Sequence, residues 1–278
     1  MKKISVITGG HGGMGKAIAK ELGKDSALVL AARSEKKLLA AQAELQELGY
    51  EVYTFTVDIS NEARVKELAE YAASLGRVVN VIHTSGVSPT DTKTEAILTI
   101  NAMGTLYMTN AFYPVMAEGG VMVNFASVAA YTMEAPDEWL EVFDECDAPE
   151  FYEKLQEIVA PFGGDDFIQS GIAYCVSKRF VIYLSQKNAK RFANKHCRIV
   201  SVSPGSYLTP MHQKLIDNQP ETAASQLESI PTGRWGHAYE IAALTAFLCS
   251  SGAGFITGVD ILADGGQTAD TFVAQLED

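Results

Sequence analysis

Short β-branched runs separated by longer stretches of helical period constrain this chain more than any other feature. Ile4-Ser5-Val6-Ile7 precedes an amphipathic stretch over 14–22, residues 27–31 precede 35–48, and residues 52–57 precede 62–75. The alternation continues with 78–82, a helix after Asp91, then 121–125 and 199–203. Strand, helix and strand in this order predict an α/β chain: one doubly wound parallel sheet with right-handed crossovers and helices on both faces. A single domain over 1–278 is long enough to bury a full core. In such sheets ligands bind beyond the carboxyl ends of the strands, so chemistry is expected in the residues that follow each strand.

One segment breaks the rhythm. Residues 133–170 hold twelve carboxylates and one lysine, Lys154, which is −11 of a net −12. They read as an insertion at the ligand-binding edge, partly helical over 150–159, serving as a lid or an oligomer-interface element. Trp139, Phe143, Phe151, Tyr152, Phe162 and Phe167 form either its own small core or, with Phe125, Tyr131 and Met133, one wall of a substrate pocket. The charge argues against nucleic acid and anionic membranes, which require clustered Lys and Arg. Met1-Lys2-Lys3 is followed by too short an apolar run for a signal peptide, and no stretch approaches the roughly 18 apolar residues of a membrane span. A soluble, cytoplasmic protein is expected. Cys146, Cys175, Cys197 and Cys249 lack CxxC spacing and companion histidines, so neither a metal site nor a disulfide framework is expected.

Thr8-Gly9-Gly10-His11-Gly12-Gly13-Met14-Gly15 follows the first strand and runs into a helix near Lys16. Glycines let the backbone turn sharply and approach a pyrophosphate, while a helix N-terminus offers free N–H groups and a positive dipole end. Gly9, His11, Gly13, Met14 and Gly15 are therefore candidate cofactor contacts. NAD-selective sites place Asp or Glu at the end of the second strand to hold the ribose hydroxyls. This chain has Ala31-Ala32-Arg33-Ser34 there. A guanidinium matches phosphate oxygens, so Arg33 and Ser34 point to NADP(H) as the preferred cofactor. NAD(H) is the alternative, with Arg33 then facing solvent beside Glu35.

Tyr174-Cys175-Val176-Ser177-Lys178 puts a phenol and an ammonium at i and i+4 on one helical face. A neighbouring cation favours the phenolate and brings a phenol of pKa near about 10 toward the working range of an acid/base. These motifs, with Asp58-Ile59, Asn101, Ser127, Pro204-Gly205, Gly233-Arg234-Trp235-Gly236 and Asp264-Gly265-Gly266, resemble the short-chain dehydrogenase/reductase family in order and spacing over nearly the whole chain. The resemblance implies a Rossmann-type fold and an oxidoreductase interconverting a ketone and a secondary alcohol. It implies that Ser127 holds the substrate oxygen, Tyr174 transfers the proton, and Lys178 holds the nicotinamide ribose while tuning Tyr174. Asn101 would anchor a water, Asp58 and Ile59 would meet the adenine, and Ser85, Gly86, Pro204, Gly205 and Thr209 would complete the cofactor site. A homodimer or homotetramer is expected.

Two departures from the family stand out. His83-Thr84-Ser85-Gly86 replaces the usual Asn-Asn-Ala-Gly after the fourth strand, and His83 reads as a core or edge residue rather than a catalyst. The long stretch between Ser127 and Tyr174 is similar to that of bacterial 3α-hydroxysteroid dehydrogenase/carbonyl reductases, which implies an apolar or steroid-like carbonyl substrate. The competing readings are a 3-oxoacyl-carrier-protein reductase, whose acidic carrier the insertion would repel, and a non-catalytic NADP(H)-sensing regulator.

Overall fold

The computed structural model describes residues 1–277. Its first six strands are β1 (Lys3–Thr8), β2 (Ala27–Ala32), β3 (Val52–Thr56), β4 (Arg77–His83), β5 (Met116–Phe125) and β6 (Arg198–Pro204). β7 (Tyr207–Leu208) and β8 (Gly236–His237) make a separate two-stranded ribbon, and β9 (Asp260–Ala263) joins the main sheet at its edge. The seven-stranded sheet runs β3-β2-β1-β4-β5-β6-β9, parallel throughout. β9 falls outside the expected strands because it is short and only half-buried, with little β-branched signal.

Burial follows from the pleat. On β1, Ile4 and Val6 join one apolar layer with Val29, Leu68 and Phe112, while Ile7 joins the opposite layer with Leu28, Leu30, Val200 and Ile241. All six residues of β2 are buried, as a parallel strand covered on both faces requires. The chain crosses from β3 at the outer edge to β4 on the far side of β1. That reversal opens a crevice at the carboxyl ends of β1 and β4, where Thr8 and His83 lie side by side in the register.

Residues 133–170 hold the helices Asp137–Asp144 and Phe151–Val159, a 3-10 turn over Ala160–Phe162 and the start of the helix Asp166–Lys187. The second matches the expected helical stretch; the first is additional. The buried aromatics of the insertion do not pack on each other alone. Trp139, Phe143, Phe151 and Leu155 are buried against Ala173, Val176, Phe180 and Leu184 of the helix Asp166–Lys187, and against Ile97, Leu98 and Leu106. Phe180 is the hub, with ring centroids 4.9 Å from Phe151 and 5.4 Å from Phe143. The insertion thus shares its core with the flank of the Tyr174 helix, and only Phe162 and Phe167 of its aromatics are largely exposed. That helix begins two turns before Tyr174, where Asp165 Oδ1 accepts the amides of Phe167 (3.1 Å) and Ile168 (3.0 Å).

Candidate active site

Four elements meet around Tyr174. It and Lys178 project from one face of the helix Asp166–Lys187, with the Lys178 Nζ 5.7 Å from the phenol ring centroid. Lys178 is buried and donates to the carbonyl of Phe125, the last residue of β5, at 2.9 Å. Burial pulls its ammonium down to about 8. Burial pushes the Tyr174 phenol up, and the nearby Ser127 hydroxyl opposes that rise. Ser127 stands two residues beyond β5 and caps a short 3-10 turn over Val128–Tyr131 by accepting the amide of Ala129 at 3.2 Å. Ser127, Tyr174 and Lys178 are therefore brought together at one strand end. The arrangement suits proton delivery to an oxygen held between two hydroxyls.

Asn101 lies on a π-helical turn, Leu98–Met103. Such turns carry an extra residue per turn and recur at functional sites. Its Oδ1 accepts the Val87 amide at 2.9 Å, and its Nδ2 donates to the Val87 carbonyl at 3.0 Å. Its Nδ2 also reaches Ser177 Oγ on the Tyr174 helix at 3.5 Å, so Asn101 ties the segment after β4 to that helix. Between Asn101 and Lys178 lies Gly86, where a β-carbon would sit 3.1 Å from Asn101 Oδ1 and 3.4 Å from Lys178 Nζ. Ser85 donates its amide to Thr8 Oγ1 at 3.2 Å.

The glycine-rich loop closes beside this group. Gly9 has φ of +67°, a conformation L side chains rarely adopt, and a β-carbon there would meet Thr84 Oγ1 at 2.8 Å. The helix Gly13–Leu22 starts inside the motif, with Gly15 buried and Met14 packed on the core. Gly13 approaches Thr209, which brings loop and β7 segment to one rim. Thr209 Oγ1 accepts the His212 amide at 3.2 Å. Pro204 ends β6, and Gly205 donates its amide to Ala263 of β9 at 2.9 Å. Asp58 makes a local turn, its Oδ1 accepting from the Ser60 amide and hydroxyl at 3.0 and 2.7 Å. The following helix is capped by Asn61, whose Oδ1 accepts the Arg64 amide at 3.1 Å. Ile59 is buried against Gly104, so only its backbone can face a ligand.

At the end of β2, Arg33 is exposed, and Ser34 spends its hydroxyl capping the next helix through the Lys37 amide at 3.4 Å. Among the described residues neither Arg33 nor Lys37 has a carboxylate partner, so Arg33 does not pair with Glu35. Lys37 is the candidate that sequence motifs alone pass over. Its one signal is the i+4 spacing from Arg33 on a helix's first turn. His11 faces Lys37, its Nδ1 is buried without a partner, and burial followed by the Lys37 charge pulls its imidazole down. Two unpaired cations and an unpartnered ring nitrogen suit a phosphate, and the cradle as a whole suits a dinucleotide.

The short chain dehydrogenase model matches residues 3–137, and the enoyl-(acyl carrier protein) reductase model matches residues 158–268. The short-chain dehydrogenase/reductase bsc3 of Alternaria brassicicola is 31% identical over 97% of both chains. The chain belongs to the short-chain dehydrogenase/reductase family. D-threitol dehydrogenase of Mycolicibacterium smegmatis is 29% identical over 96% of this chain and 93% of that one. A crystal structure of a short chain dehydrogenase from Burkholderia cenocepacia J2315 in complex with NADP superposes with a TM-score of 0.74 at 22% identity, covering 96% of this chain and 97% of that chain. As a short-chain dehydrogenase/reductase the protein is an oxidoreductase of carbonyl and alcohol substrates, in a family that binds NAD(P). The sheet order agrees with the Rossmann-type fold. Residues 138–157, between the two family matches, fall inside the acidic insertion. Among the described residues no helix is long and apolar enough to cross a membrane.

Proposed function

We propose that this enzyme reduces a neutral, apolar ketone to a secondary alcohol, with NADPH as its cofactor and Tyr174 as its proton donor. The observation that carries this reading is the Tyr174 phenol, held protonated by burial yet partly open, between Ser127 and the buried ammonium of Lys178. When bound, NADPH supplies the hydride to the carbonyl carbon. Ser127 holds the carbonyl oxygen, and Tyr174 Oη gives that oxygen its proton. Lys178, anchored on Phe125, stabilises the phenolate left behind. Arg33, Lys37 and His11 would hold the 2'-phosphate, and Pro204, Gly205 and Thr209 the carboxamide.

The apolar preference rests on the face of the Tyr174 helix. Phe167, Gly171 and Tyr174 follow one another at i, i+4 and i+7, so they share a face. Phe167 is exposed, and a β-carbon on Gly171 would meet nothing within 4 Å, which leaves a groove between two aromatic rings. The twelve carboxylates nearby disfavour anionic substrates. Initial rates of NADPH oxidation with cyclic ketones, simple aliphatic ketones and keto acids test this. The cyclic ketones are expected to have the highest kcat/KM and the keto acids the lowest, and equal values for keto acids would overturn it.

A pH profile gives a second check. In reduction, the free enzyme's kcat/KM is expected to fall above about pH 8, where Lys178 loses the proton it needs to stabilise a phenolate. A profile flat to about pH 10 would remove Lys178 from that role.

Assembly is expected through the β9 edge. Phe255 is fully exposed, and Phe247 and Val259 are exposed beside it, while the insertion covers the flank of the Tyr174 helix. A second copy is the occupant, because β9 pairs on one side only. Light scattering is expected to give a dimer or tetramer, and Phe255→Glu a smaller species. A monomeric wild type would refute the assignment.

A further inference from the structure

The buried imidazole of His83 sits where the family usually has asparagine, and both of its ring nitrogens have a partner. His83 Nδ1 is 2.8 Å from Thr8 Oγ1, and its Nε2 is 3.2 Å from Thr105 Oγ1. Thr105 donates its hydroxyl proton to the main-chain carbonyl of Asn101 at 2.6 Å. That proton is spent, so toward His83 the Thr105 oxygen acts as acceptor, and Nε2 must carry the hydrogen. Nδ1 is then the acceptor, and Thr8 donates to it. Thr8 Oγ1 in turn takes the Ser85 amide at 3.2 Å, which leaves it one donor bond and one acceptor bond. Every polar group in the chain Ser85–Thr8–His83–Thr105–Asn101 has one consistent role, whereas the Nδ1–H tautomer would set the Nε2 lone pair against the lone pairs of a Thr105 oxygen whose proton is already given to Asn101.

We propose that His83, as the neutral Nε2–H tautomer, is a positioning residue that locks the glycine-rich cofactor loop to the π-helical turn carrying Asn101. Thr8 is the last residue of β1, directly before Gly9, and the Thr84 hydroxyl also donates to the Thr8 carbonyl at 2.7 Å. At the other end, Asn101 holds Val87, and Gly86 sits between Asn101 and Lys178. The imidazole spans a gap between β4 and the helix Gly104–Phe112. Full burial, and then the charge of Lys178, keep it neutral, with its pKa down at about 3. A shorter asparagine there would have to give up one of the two threonines.

The two ends make separable predictions, and both rest on the reading of Tyr174 and Lys178 as the reacting pair only where kcat is measured. Thr105→Val breaks the link on the Asn101 side, so kcat is expected to fall about tenfold while the Kd for NADPH, by fluorescence titration, stays within about twofold. Thr105→Ser keeps the hydroxyl and is expected to restore kcat. Thr8→Val breaks the loop side, and the NADPH Kd is expected to rise about tenfold. The tautomer is read directly in the unmodified protein by NMR of isotope-labelled histidine, the His83 signal being the one missing from His83→Asn. An Nδ1–H tautomer overturns the proposal whether or not the threonine variants fold. So does a result in which Thr105→Val and Thr8→Val lower only the melting temperature and leave kcat and Kd at wild-type values. If Tyr174→Phe retained activity, the catalytic reading would fall, but the tautomer and the Kd of Thr8→Val would still decide the role of His83.

Discussion

Tyr174→Phe is expected to lose at least about a hundredfold in kcat while leaving the NADPH Kd within about twofold, because only the acid/base hydroxyl is removed. The ring remains, and so does its place beside the Lys178 ammonium at 5.7 Å. Lys178 keeps its own anchor on the Phe125 carbonyl, so the variant does not release a buried charge. Ser127 still caps its turn through Ala129. The loss therefore reports the missing proton rather than a collapsed site. Reduction is the direction that should suffer most, since burial holds the phenol above its ordinary value and keeps it protonated at neutral pH. Oxidation needs the phenolate and is expected to rise with pH in the wild type. A variant keeping more than about a tenth of wild-type kcat would place the proton donor elsewhere.

How much of this was legible in the residues depends on how far each signal reaches along the chain. The parallel sheet could be read because β2 is buried on both faces and so is continuously apolar, and because short β-branched runs alternate with helical stretches. Tyr174 and Lys178 could be picked out because they are four residues apart on one helix, but Ser127, two residues beyond β5, was legible only through the resemblance to the family. β9 was missed, since a short, half-buried edge strand carries almost no pattern. The helix Asp137–Asp144 was missed because its apolar face is built from only a few large side chains, and their partners lie about forty residues away on the Tyr174 helix. Phe180 and Leu184 carry nothing in their own neighbourhood that announces an insertion as their cover. The clamp that Asn101 places on Val87 was out of reach, because it depends on a π-turn that no local spacing encodes. The pairing of His83 with Thr8 and Thr105 joins three elements and was likewise out of reach, although the burial of His83 was expected.

Charge reversal at the end of β2 is expected to invert the cofactor preference. Arg33 and Lys37 stand one helical turn apart, unpaired among the described residues, at the start of a helix whose positive dipole end also favours an anion. His11 presents a buried, unpartnered nitrogen toward the same place. No carboxylate lies there to take the ribose hydroxyls. In Arg33→Asp/Lys37→Glu two charge-assisted bonds to a 2'-phosphate become repulsions, so the NADPH KM is expected to rise about a hundredfold or more. NADH has no phosphate to repel, and the carboxylate introduced at position 33 sits where NAD-selective sites hold the ribose. Its KM is expected to stay within about threefold or to improve. Because Arg33 and Lys37 are exposed, the wild-type preference for NADPH should shrink as salt is raised, whereas the variant's cofactor ratio should respond to salt in the opposite sense. Equal losses with both cofactors would make the two cations bystanders. A wild type that prefers NADH would end the NADPH assignment, leaving the Tyr174 chemistry untouched because it depends on a different strand end.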